Sequence, residues 1–283
     1  MLNYGYHLAR SEGRAARSIY RSLLPAIVRR PISGVAPVSF DVFTYSGERN
    51  VPELVASIRS FLKCVGRPKS LTIVSDGTLS SRSDSLLRVL DPAIMISSAA
   101  EWVPKDLPPK VYPYLTTHPT GKQLSLIMSL PVNGPALYFD SDVLFFPGAR
   151  ELVEVARRRE TPAYYLADCQ LAADPRLFRS EPEKAHPVNT GVLFLFEKID
   201  WSLALRRLLE LSGIPEFFTN QTMTHLAMHA NGAVAFDRSK YVLQLDDQFV
   251  YPDRYRQPNL VLRHYVNPVR HKFWTAIARQ IFS

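Results

Sequence analysis

The stretch Ala136-Leu-Tyr-Phe-Asp140-Ser-Asp142-Val-Leu-Phe-Phe146 delivers two carboxylates between two apolar runs. Ala136–Phe139 reads as a buried strand, and Val143–Phe146 follows at once as a second apolar stretch. Ligands of open α/β sheets bind outside the carboxyl ends of the strands. The strand period of two predicts that Asp140 and Asp142 face the same side. Two acids so close repel each other and are costly to bury. A divalent cation with oxygen ligands offsets that cost, and Mg²⁺ or Mn²⁺ suits a site that a phosphate completes. The plainer alternative is a solvated turn, and the apolar runs on both sides weigh against it.

Strand and helix patterns alternate around this stretch. Residues 39–45 read as a strand, 51–65 as a helix of period 3.6, 71–74 as a second strand and 81–90 as a helix. Upstream of the acids, 121–130 is predicted helical. Downstream come a helix over 151–159, a strand over 163–166, a strong strand over 188–196 and helices over 201–211 and 216–229. A strand over 260–263 and an amphipathic helix over 273–281 close the chain. The alternation predicts an α/β fold around a mostly parallel, Rossmann-like sheet flanked by helices. One domain over 38–283 follows, with residues 1–37 as a basic N-terminal extension.

The chain has 283 residues, 46% of them hydrophobic, which excludes a mostly disordered protein. Its net charge of +8 is unevenly spread. Residues 1–30 hold six Arg and one acid, Glu12, a net +5. Residues 254–283 hold five Arg, Lys272 and no acid, a net +6, so the body between is −3. A uniformly basic nucleic-acid-binding globule is thereby excluded. In the extension, Arg10, Arg14, Arg17 and Arg21 fall on one helical face, with Leu8, Ile19, Leu23 and Ile27 broadly opposite. Pro25 disfavours a helix running straight through. The segment 8–30 reads either as an interfacial helix on an anionic membrane or as a helix packed on the body. No run of about 18 apolar residues is present. Two distant cysteines, Cys64 and Cys169, give no disulfide framework, and a cytoplasmic location is expected, with membrane contact peripheral on the inner face.

Three further patterns could carry chemistry. His264 follows an apolar strand and opens His-Tyr-Val-Asn-Pro-Val-Arg-His271-Lys272-Phe-Trp274. A neutral His can complete a metal shell, and Lys272 with Arg270 offers charge to a phosphate. Val188-Asn189-Thr-Gly191 opens a buried strand and could equally be a turn. Thr219-Asn220-Gln221-Thr opens a helical stretch, where an N-cap needs no further function.

Together and in this order, these residues resemble the GT-A glycosyltransferases, in particular the glycosyltransferase family 8-like group. That group has a D-x-D motif, then Asn-[Ser/Thr]-Gly-Val, then a helix start with Gln, then a His-x-x-Gly-x-x-Lys-Pro-Trp type motif. The resemblance covers roughly residues 38–275. It differs in Asn267-Pro268 at the glycine position, in a displaced lysine and in Phe273 for Pro. The resemblance implies that Asp140, Asp142 and His264 hold Mn²⁺ or Mg²⁺ against a nucleoside diphosphate sugar, a UDP-hexose. It implies that Lys272 and His271 add positive charge at the diphosphate, and that Thr44, Tyr45 and Asp76 meet the nucleotide. Lys122 would steady the first acid and the donor, while Asn189 and Gln221 would contact the sugar. The implied reaction is transfer to a glycan or glycolipid, with retention of anomeric configuration.

Two other readings compete. A haloacid-dehalogenase-like phosphatase also sets Asp-x-Asp after an apolar strand, and Asp246-Asp247 could supply its late acidic pair. Against it, Leu144 stands where Thr is needed, and 135 residues precede the strand. The other is a non-catalytic sugar-nucleotide binder.

Overall fold

The computed structural model describes residues 3–130 and 133–281. In chain order the elements are α1 (Tyr4–Ser22), α2 (Leu24–Arg29), β1 (Asp41–Ser46), α3 (Val51–Cys64), β2 (Leu71–Ser75), α4 (Ser81–Leu90) and β3 (Ile94–Ser98). Then follow α5 (Tyr112–Thr117), α6 (Pro119–Met128), β4 (Ala136–Phe139), β5 (Val143–Phe145), α7 (Glu151–Arg158) and β6 (Ala163–Ala167). The last are β7 (Val188–Leu195), α8 (Ser202–Glu210), α9 (Thr219–Ala230), β8 (Val234–Ala235), β9 (Tyr241–Val242), β10 (Leu262–His264) and α10 (His271–Ile281).

Seven strands form the main sheet in the order β3-β2-β1-β4-β7-β6-β8. β7 runs antiparallel to both its neighbours, and the other pairings are parallel. The mostly parallel α/β architecture expected from the sequence is therefore present. The carboxyl ends of β1, β2, β4 and β6 and the amino end of β7 consequently share one edge. A second sheet, β5-β10-β9, stands beside it.

The expectation for Asp140 and Asp142 needs one correction. They do not lie along one strand. β4 ends at Phe139, the backbone turns between Asp140 and Val143, and β5 enters the small sheet. Aromatic packing holds this turn. Phe139, before the acids, and Phe145, after them, both seat on Phe61 of α3, with ring centroids 5.7 and 5.2 Å away. Burying each such ring is worth about 1.5–3 kcal/mol. The Ser60 hydroxyl accepts the Phe145 N–H, so α3 also fixes the backbone after the turn.

Residues 3–30 pack on the body. The Tyr20 ring lies 5.1 Å from that of Trp274 on α10. Arg17 donates two bonds to Glu53 of α3, which also accepts the Trp274 indole N–H. Gly13 is required here, since a Cβ would come within 2.5 Å of the His271 carbonyl oxygen. The helix breaks at Leu23, and Pro25 sits in the first turn of α2, where its missing N–H costs nothing.

Candidate active site

A cavity of about 320 Å³ opens at the shared edge of the main sheet. Asp140, Asp142 and His264 meet in it, each offering one ligand atom, all within 4.8 Å of one another. His264 arrives by strand pairing. β10 runs antiparallel to β5, which sets His264 opposite Val143. The Tyr265 N–H then donates to the Asp142 carbonyl. His264 Nε2 lies 3.1 Å from Asp142 Oδ1 and 3.7 Å from Asp140 Oδ2.

The imidazole is oriented from behind. Its Nδ1 lies 2.9 Å from Asn189 Oδ1, which also accepts the Gly191 N–H. The Asn189 amide is fixed in that sense because its Nδ2 donates to Asp168. Nδ1 therefore donates to Asn189, and Nε2 is presented to the acids. Asn189 is thus a positioning residue for His264 as well as part of the cavity wall. Gly191 leaves room for the ring, because a Cβ there would stand 2.1 Å from His264 Cε1. Gly191→Ala is expected to displace the imidazole and weaken Mn²⁺ binding at least tenfold, read by titration calorimetry. Wild-type affinity in a folded variant would refute this geometry.

Charge in the cluster is unequally shared. Burial pushes the Asp140 carboxyl up to about 6, against the pull of His264, and the neighbouring Asp142 charge adds to the rise. Burial also opposes ionisation of Asp142, but His264 and Arg270 outweigh it and hold the group below its ordinary value. Burial would lower the His264 pKa, yet Asp142 and Asp140 raise it. Two carboxylates and an imidazole nitrogen, which would release its proton to a cation, form a donor set suited to a hard or borderline divalent metal. The residues fit the metal that the motif implies.

Other side chains support the first acid. The Tyr138 hydroxyl and the Gln123 amide donate to Asp140 Oδ1 at 2.6 and 2.8 Å. Gln123 also accepts from Asn220, which ties α6 to α9. Gln221 lines the cavity, and its amide donates to Asp168 and to the Ala172 carbonyl. Asp168 was missed in the sequence. It follows β6 as Asp140 follows β4, so an acid just past an apolar strand was the available signal.

The predicted nucleotide-end residues lie at the same sheet edge but outside the cavity lining. Tyr45 and Asp76 are close enough for the Asp76 charge, after burial, to raise the tyrosine pKa. Lys122 donates to the Asp76 carbonyl at 2.9 Å and makes no bond to Asp140, beside which Gln123 stands. Thr44 is fully buried. Among the described residues, the Thr44 and Tyr45 hydroxyls have no hydrogen-bond partner, although both are buried.

Lys272 and His271 are not brought to the acids. Lys272 is wholly buried, donating to the Val250 and Pro252 carbonyls and pairing with Asp247 at 3.2 Å. Arg263, also wholly buried, forks onto Asp247 and bonds Asp253. His271 lies 3.2 Å from the Pro268 carbonyl through Nδ1 and packs against Tyr6. The cation that lines the cavity is Arg270, 3.1 Å from Asp142. Counting from His264, the lysine position of the quoted motif falls on Arg270, so Lys272 was assigned out of register. Asp246 bonds Tyr255 and Asp247 serves the buried ion cluster, so neither stands beside Asp140 as a phosphatase pair would.

No protein-family model and no curated protein matches the chain. Solved structures do. The galactosyltransferase LgtC, bound to donor and acceptor sugar analogues, is similar over 85% of this chain and 95% of its own, with a TM-score of 0.54 at 12% identity. Mouse xyloside xylosyltransferase 1 is similar over 83% and 99%, with a TM-score of 0.55 at 14% identity. GlyE of Streptococcus pneumoniae TIGR4 is similar over 87% and 63%, with a TM-score of 0.52 at 13% identity. The fold is that of the GT-A glycosyltransferases. In this GT-A frame the acid turn sits at the carboxyl edge of the main sheet, and β10 of the small sheet completes the three-ligand cluster.

Proposed function

We propose that this chain transfers a hexose from a nucleoside diphosphate sugar, a UDP-hexose, to a hydroxyl of a glycan or lipid-linked glycan. The observation that carries this reading is the convergence of Asp140, Asp142 and His264 in one cavity of a GT-A fold. When bound there, Mn²⁺ or Mg²⁺ would supply Lewis-acid stabilisation of the leaving diphosphate.

The remaining roles belong to the chain's own residues. Arg270 supplies permanent positive charge at the diphosphate, in place of Lys272. Tyr45 and Asp76 receive the nucleoside, where the unpartnered Tyr45 hydroxyl awaits a partner. Asp168, Gln221 and Asn189 form a hydrogen-bonded wall suited to sugar hydroxyls. Gln123 and Tyr138 keep Asp140 turned toward the metal site. Retention of configuration rests on the resemblance alone. We place the reaction in the cytoplasm, at the inner membrane face where a lipid-linked acceptor lies. The two free cysteines support a reducing compartment.

The test is a thermal-shift screen of nucleotides and nucleotide sugars, with and without Mn²⁺. One nucleotide sugar is expected to raise the melting temperature only with the metal, and incubation with it should release the nucleoside diphosphate. Release of phosphate from a generic phosphomonoester, without nucleotide-sugar binding, would support the phosphatase reading instead. Metal-dependent binding without hydrolysis or transfer would make the chain a non-catalytic binder.

A further inference from the structure

The N-terminal helix α1 divides its surface into three sectors. Ala9, Gly13 and Tyr20 are buried on the body, with Leu24 continuing the line. A second row, Tyr4, Leu8, Ile19 and Leu23, faces solvent at 79%, 60%, 60% and 51% exposure. At about 100° per residue these four stay within roughly one quadrant of the helix. The third sector holds Arg10, Arg14 and Arg21, all exposed, and Arg29 and Arg30 follow on and after α2. None of these five arginines forms a salt bridge with a described residue. Glu12, the only acid in the segment, is held by the Tyr251 hydroxyl. Membrane contact and packing on the body were alternatives in the sequence; the three sectors let one helix do both.

A further exposed ring lies at the amino end of α1. Phe249 is 54% exposed and its ring lies 5.7 Å from that of Tyr6. Tyr6 also packs on His271, whose neighbour Arg270 lines the active-site cavity. Among the described residues, no helix is long and apolar enough to cross a membrane.

We infer that α1 is a docking surface for an anionic lipid bilayer, with Tyr4, Leu8, Ile19 and Leu23 entering the interface and the arginines of the other exposed sector meeting lipid headgroups. Exposed apolar side chains, with arginines that form no salt bridge on a second exposed sector of the same helix, match a surface that is apolar at depth and negative at its rim. A second protein would need matching acidic residues, and a second copy of this segment would bring like charges together. The docking adds a partner to the transfer reading and does not depend on it.

The test is co-sedimentation of the full chain with phosphatidylcholine vesicles, with and without one part in three phosphatidylglycerol. The wild type is expected to pellet with the anionic vesicles only, and less at high salt. A triple variant, Leu8→Ser, Ile19→Ser and Leu23→Ser, should bind at least tenfold more weakly. Arg10→Gln, Arg14→Gln and Arg21→Gln together should lower binding about a hundredfold. Both variants should melt like the wild type, because the altered side chains are exposed. Equal pelleting of wild type and folded variants, or no pelleting of the wild type, overturns the inference. So does a wild-type dimer in light scattering that the serine variant abolishes, since the row would then be covered by a second copy. None of these readouts uses a donor sugar, so a failed transfer assay leaves the result intact.

Discussion

Asp142→Asn is expected to weaken Mn²⁺-dependent binding of the donor nucleotide about a hundredfold, equivalent to about 3 kcal/mol. The substitution preserves size and removes one anionic ligand from a three-ligand cluster. Asp142 is the more demanding of the two acids to replace. Despite its burial, His264 and Arg270 hold its carboxyl ionised, while burial pushes Asp140 up to about 6. Asp142 is therefore charged at neutral pH even before a metal arrives. Calorimetric titration of a nucleoside diphosphate, with Mn²⁺ and with a chelator, reads the effect. The difference between variant and wild type should vanish in the chelator. Unchanged affinity in Mn²⁺, in a variant that still melts cooperatively, would remove Asp142 from the metal site.

The second large effect separates two basic residues that lie two positions apart. Lys272→Met is expected to lower the melting temperature by about 10 °C. The lysine neutralises Asp247 in a cluster where Arg263, Asp247 and Lys272 are all wholly buried. Removing one member of a buried ion cluster costs about 3–5 kcal/mol, here because Asp247 and Asp253 are left with Arg263 as their one buried cation among the described residues. In a chain of this length each kcal/mol moves the melting temperature by about 2–4 °C. Adding Asp247→Asn should recover part of the loss, since the stranded anion is then gone. Arg270→Ala should behave in the opposite way. The arginine is partly exposed at the cavity, so the melt should change little while donor turnover falls about a hundredfold. A Lys272→Met protein that melts normally yet loses turnover would return the lysine to the diphosphate.

The buried ion cluster explains why the tail was harder to read than the acid turn. Along the sequence, Arg270, His271 and Lys272 are three basic groups beside a motif, and nothing local says which faces inward. The choice is made by Asp247 and Asp253, some twenty residues upstream, once the chain folds over the small sheet. The same holds for Lys122 and Gln123. Both lie on the helix before β4, and helix rotation alone sends the lysine to the Asp76 carbonyl and the amide to Asp140. β3 was also missed, because it is an edge strand with only Ile94 buried and so carries little apolar signal.

By itself the sequence determined the α/β alternation, the acid turn between apolar runs, and the three metal-ligand candidates. These signals are local or periodic: an apolar run records burial, and adjacent acids record a shared charge problem. Only the tertiary structure decided that His264 pairs opposite Val143, that Asp168 and Gln123 join the site, that Arg270 replaces Lys272 at the cavity, and that α1 keeps an apolar row in solvent. Each of those depends on which backbone or charge a side chain meets once the chain folds, and such pairing, from 17 residues for Gln123 and Asp140 to more than a hundred for His264 and Val143, leaves no trace in local spacing.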